Sequence, residues 1–190
     1  MNNMINDELF AYYIGAFVGI IAYIIMGRYI ILGEKGYSFT SFTLFSILNG
    51  ISAVTIYLEQ GNYLLSLIFS LSAATIAVML LLKRKVTWSW IESLVIGLIT
   101  ISFILWYLYG AYVGIWASTL SLLIAIIPQV KDMYKLPSNK VAFVNKFFIA
   151  SSFISCFSAK SFTFVELSFP VTILISCSII YYFAAGHHKN

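Results

Sequence analysis

Few residues of this chain could do chemistry, and most of those lie inside long apolar runs. Pro128 and Gln129 sit at the end of one run; a basic loop closed by Pro137 and Ser138 follows, and then a second run begins. A proline there removes one backbone donor and disturbs the turn before it. In lipid such a break is tolerated where neighbouring protein or a water-filled cavity satisfies the freed groups. The pair reads either as a hinge or gate in a membrane bundle or as a plain helix stop. Asn49 lies in the middle of another run, where its amide can glue helices together or bond a polar solute. Ser118, Thr119, Ser121, Ser151, Ser152, Ser155, Ser72 and Ser176 can touch a solute or bond back to their own helices. Trp116 can stack on a solute or pack against lipid. Lys146, next to Asn145 near the start of a run, can snorkel to the interface or draw anions into an inner vestibule. Glu92 has the same two readings.

The remaining chemistry-bearing residues argue by position. No Asp, Glu or His falls near the centre of a run, whereas proton relays in carriers use such groups; this favours a passive facilitator. The last run has no lysine, which excludes a retinal Schiff base of the rhodopsin type. No Gly-rich loop with lysine offers a phosphate site. No nucleophile triad or metal-ligand constellation is present, so the expectation is a protein that is not an enzyme and holds no cofactor or metal. Cys156 and Cys177 read as small buried hydrophobes, and His187 and His188 as solvated tail residues.

The elements that must carry these residues are membrane helices. The chain has 190 residues, is 61% hydrophobic and 9% charged, and has a mean hydropathy of +0.94; soluble domains carry about 25% charged residues. A helix needs about 20 apolar residues to cross the hydrocarbon core. Seven segments qualify: 10–32, 39–58, 63–82, 88–109, 111–130, 141–160 and 168–185. With the N-terminus outside, Arg28, Lys35, Lys83, Arg84, Lys85, Lys131, Lys135, Lys140, Lys146 and Lys189 all fall on the cytoplasmic side. Of the eleven basic residues only Lys160 falls outside, as the positive-inside rule requires. Asp7 and Glu8, with no nearby cation, fit that outside N-terminus and give no sign of a signal peptide. Outer connections are acidic or neutral: 59–62, Gly110 and the region around Glu166. Tyrosines and tryptophans such as Tyr12, Tyr57, Tyr63, Trp88, Trp106 and Tyr112 crowd the span ends as interfacial belts. The net charge of +4 sits in short clusters between spans and is no nucleic-acid signal. The partners expected are the bilayer, in a bacterial inner membrane, and a small-molecule solute, and a monomer suffices.

A shift of 102 residues lays span one on span five and span two on span six. Ile24, Ile25, Met26 and Gly27 then fall on Ile126, Ile127, Pro128 and Gln129; Phe45 falls on Phe147, Ile47 on Ile149 and Asn49 on Ser151. Three spans reverse the direction of the chain, and one spare span restores it. The expected architecture is therefore all-α, with two parallel triple-helix bundles, residues 1–87 and 111–190, joined by a linker helix in 88–110. The joint at Gly110 is so short that spans four and five must be antiparallel neighbours. Transporters often hold their solute near the midplane between such repeats.

Pro128-Gln129 at the inner end of a span, the basic loop and Ser138 resemble the PQ-loop motif, and the three-one-three layout is similar to the SWEET sugar transporters of that superfamily. The resemblance covers the whole chain in topology and about residues 115–155 in motif. It implies alternating access, with Pro128 as hinge of the inner gate. In the first repeat the motif positions hold Met26 and Gly27, where glycine supplies the backbone freedom. SWEET-type sugar sites use a tryptophan on the second helix of a triplet and an asparagine on the third; this chain has neither there, and Phe153 and Phe157 occupy that part of span six. The expected function is facilitated transport of a small polar solute, with sugars among the candidates. The alternative is a receptor-like or binding protein of the same fold without transport.

Overall fold

The computed structural model describes residues 2–33, 37, 39–83, 90–159 and 162–186. Lys35, Ser38, Arg84, Lys85, Trp88, Lys160, His187, His188 and Lys189 lie outside the described residues, as do the side chains of Asp7, Glu8 and Glu92. The described chain forms eight helical segments: α1 (Asn2–Ile31), α2 (Phe39–Leu58), α3 (Leu64–Leu82), α4 (Trp90–Tyr109), α5 (Ala111–Ala125), α6 (Ile127–Lys135), α7 (Asn139–Phe157) and α8 (Phe164–Ala184). Among the described residues six stretches, against the seven expected, are long and apolar enough to cross a membrane, with α5 and α6 counting together as Ala111–Lys135. Ser93–Tyr109 of α4 is a shorter apolar helix. The chain is an integral membrane protein, because this much apolar helix surface has no other favourable solvent.

Three boundaries differ clearly from the sequence expectation, the first being that α1 starts at Asn2 and not at residue 10. The basic stretch after Pro128 is not a loop: it continues as α6 to Lys135. Proline in a first helical turn lacks a donor that would be orphaned anyway and has its φ preset for a helix, so Pro128 ends α5 and starts α6. Glu166, expected in the outer connection, lies in the first turn of α8 and is only 6% exposed. A carboxylate in a first turn complements the positive end of the helix dipole, and Thr163 starts α8 that much earlier.

Gly110 joins α4 to α5 with φ +88°, a left-handed conformation that strains any other residue type. That single residue reverses the chain, and α4 packs along α5 as an antiparallel neighbour. α3 packs on both α1 and α2, and α8 packs on α5, α6 and α7. Between these groups α1 lies against α7 and α2 against α5.

Lipid gives helices no hydrophobic reason to associate, so small residues and interhelical hydrogen bonds must hold them. Gly15 and Gly19, a small-xxx-small pair on α1, face Ser151 and Ser155 of α7, and the Ser151 hydroxyl donates to the Gly15 carbonyl at 2.6 Å. Ser52 donates to Ser118 at 2.9 Å across α2 and α5. Ser46 and Ser70 each donate to the other's backbone carbonyl across α2 and α3, at 3.0 and 2.8 Å. Ser102 and Ser121 lie 3.2 Å apart across α4 and α5.

Candidate functional site

The α1–α7, α2–α5 and α4–α5 seams lie nearer the helix ends opposite Arg28 and Lys140. Toward the basic end the helices diverge around a cavity of about 70 Å³, and the Ser46–Ser70 pair is level with its Phe45 and Phe69. Tyr23 and Met26 of α1 line it, with Phe42, Phe45 and Asn49 of α2 and Phe69 of α3. From the other half come Leu122, Ile126 and Gln129 on either side of the α5–α6 break, Asn145 and Phe148 of α7, and Ser176 and Cys177 of α8. Phe69 and Phe148 meet Tyr23 edge-on, with ring centroids 5.4 and 4.9 Å away. The result is an aromatic cage with amides and a hydroxyl set into its wall.

Its polar groups are not equally satisfied. The Asn145 amide donates to the Val141 carbonyl at 2.9 Å, one turn back. Asn49, 2% exposed, has no partner for Oδ1, and Ser176, 3% exposed, has none for Oγ. A buried polar atom without a partner costs about 1–3 kcal/mol. Two such atoms on the wall of one cavity are therefore sites where water or a solute group would be bound. At about 10–15 Å³ each, roughly five waters would fill the space. Among the described residues no charged side chain lines it, and an unpaired charge would be far costlier to bury than an amide. The wall suits a neutral ligand with hydrogen-bonding groups on one part and an apolar face on another. Among the described residues, no group of His, Cys, Asp and Glu could hold a metal ion.

Of the residues singled out from the sequence, Met26, Asn49, Gln129, Asn145 and Ser176 come together here. The others go elsewhere. Pro128 faces a small void against Ser41, Leu44 and Val95, on the side toward α2 and α4. Gly27 and Ser72 line a separate groove between α1 and α3. Ser118 bonds Ser52 and its own helix, and Ser151 and Ser155 belong to the α1–α7 seam. Trp116 is turned outward, 44% exposed, and stacks on Phe164 with centroids 3.8 Å apart. Lys146 is exposed on α7, its Nζ 5.7 Å from the Tyr181 ring centroid, so it covers α8 and leaves the cavity uncharged.

The aromatic cage is only partly marked in the sequence. A signal for part of it exists: Phe42, Phe45 and Asn49 form a stripe at i, i+3 and i+7, ending in the one amide of α2. Phe69 and Phe148 have no comparable signal, because each is one of several apolar residues in its helix, and Tyr37, which also lines the cavity, lies in a polar connection that carries no helical period. No protein-family model, curated protein or solved structure matches this chain.

Proposed function

We propose that this protein is a facilitative transporter of a small, uncharged, hydrogen-bonding solute, working by alternating access. The observation that carries the reading is the central cavity. It holds the unpaired atoms of Asn49 and Ser176, and residues from both sides of the α5–α6 break line it. At about 70 Å³ it is well below the about 300–1,000 Å³ of sites that enclose drug-sized ligands. Solute entry must therefore enlarge it, and the interrupted helix is the wall best able to move. Leu122 and Ile126 stand before the break and Gln129 after it, so bending at Ile126 to Pro128 changes the cavity directly.

The packing pattern supports an architecture of two triple-helix bundles with α4 as linker. In each triplet the third helix, α3 or α8, touches the other two; across the triplets the first helix of each meets the second of the other. That reciprocity is what an axis along the membrane normal would generate. With the PQ-loop resemblance at Pro128 and Gln129, it favours a SWEET-like fold, with the N-terminus outside and the basic end in the cytoplasm of a bacterial cell. The aromatic cage fits the apolar face of a sugar ring, and the amides fit its hydroxyls. The missing tryptophan and asparagine mean that any sugar site here is built from different residues.

The test is uptake into liposomes carrying the purified protein, across a panel of neutral sugars, amino acids and small metabolites, with and without a pH gradient. Saturable uptake of a neutral solute, unchanged by the gradient, is the expected result. Uptake that requires the gradient would overturn passive facilitation. Folded protein that moves none of the panel would favour a receptor-like role.

A further inference from the structure

A second concavity lies on the outer face of the bundle, between α1 and α3, with a volume of about 410 Å³. On α1 it is lined by Ile20, Ile24, Gly27 and Ile31, at i, i+4, i+7 and i+11, one continuous helical stripe. Ser72, Thr75, Ile76 and Met79 of α3 form the facing wall. Gly27 leaves it open: a Cβ there would only touch Met79 and Ile76, at 3.5–3.6 Å, and any longer side chain would enter the groove. From Ile20 to Ile31 the groove runs about 16 Å at a rise of 1.5 Å per residue. That is close to half of the ~30 Å hydrocarbon core, the depth of one leaflet.

Arg28 lies at the groove's end nearest the α1 terminus, exposed, with no hydrogen bond or ion pair among the described residues. A second cation flanks the mouth, where Lys83 Nζ donates to the Ile30 and Ile31 carbonyls at 2.9 and 2.7 Å. The groove thus has the length of one acyl chain, a mostly apolar wall and an exposed guanidinium at its basic end, unpaired among the described residues. Guanidinium binds phosphate oxygens bidentately, and a zwitterionic headgroup would bring its own cation to the same place.

We infer that the α1–α3 groove is a binding site for an anionic phospholipid, one acyl chain lying along Gly27 and the phosphate on Arg28. This is independent of whether the protein transports. The test exposes purified protein in mild detergent to equal amounts of phosphatidylglycerol and phosphatidylcholine with identical chains, and counts retained lipid by native mass spectrometry. The wild type should retain phosphatidylglycerol about fivefold over phosphatidylcholine, the preference expected of one cation at an anionic surface. Arg28→Gln should erase that preference, Arg28→Lys should keep part of it, and Gly27→Leu should lower retention of both lipids. Lys135→Gln, which removes an exposed cation outside the groove, should leave the preference intact. Equal retention by the wild type would overturn the inference. So would an unchanged preference in folded Arg28→Gln, or a loss in Lys135→Gln as large as in Arg28→Gln.

Discussion

Asn49 carries two opposite energetic roles. Its unpaired Oδ1 destabilises the resting protein, and the same atom is the strongest hydrogen-bonding feature of the cavity wall. Asn49→Leu separates these roles. Removing a buried unsatisfied carbonyl should leave thermal stability unchanged or raise it, by up to about 1–3 kcal/mol. Loss of one solute hydrogen bond, ~1–1.5 kcal/mol, should weaken solute handling about tenfold. Parallel melting curves and uptake rates check this; a variant both less stable and equally active would show that Asn49 only holds helices together. Trp116 marks the contrast: stacked on Phe164 and turned outward, it should tolerate Trp116→Leu with uptake intact.

At the scale of elements, two devices act at opposite ends of the bundle. Where Gly15 and Gly19 meet Ser151 and Ser155, α1 and α7 approach too closely for side chains. A Cβ on Gly15 would collide with Ser155 Oγ and stand 3.1 Å from the Ser151 carbonyl oxygen. Gly15→Val should therefore lower stability by roughly 1–3 kcal/mol, read as a lower midpoint in thermal unfolding; an unchanged midpoint would mean that α1 and α7 are not held this way. Near the other end the α5–α6 break supplies compliance. Pro128→Ala supplies a backbone donor that gains a partner only if α5 runs on unbroken into α6, so the substitution should favour a straighter helix. If bending there limits the cycle, flux falls about two- to tenfold while folding and insertion stay intact. Unchanged flux would reduce Pro128 to a helix stop.

For the molecule as a whole, what could be read in advance was what depends on local signals. Apolar length marks the spans, a lone glycine at position 110 forces α4 and α5 into contact, and Pro128 marks a break wherever it lies. The continuation of α6 was hidden, because proline followed by basic residues suits both a loop and a helix start. The serines were harder still. Ser151 and Ser176 are alike in sequence, each a hydroxyl inside an apolar run. One bonds the Gly15 carbonyl and the other faces the cavity only because of which helix each happens to meet. The cage aromatics were invisible for the same reason: in helices apolar all round, periodicity does not separate a lipid face from a cavity wall.

The central claim is that the cavity is reached by water and solute as the bundle opens. Cys177 lines that cavity and is buried, whereas Cys156, the other cysteine, does not line it. The most direct measurement is the rate at which a small, water-soluble methanethiosulfonate labels Cys177 in the folded Cys156→Ser protein, reconstituted in liposomes. Alternating access predicts measurable labelling, faster from the basic end, slowed by a transported solute and slowed again by Pro128→Ala. A thiol that stays unlabelled from either side until the protein is unfolded would contradict it, and the cavity would then be a static packing void.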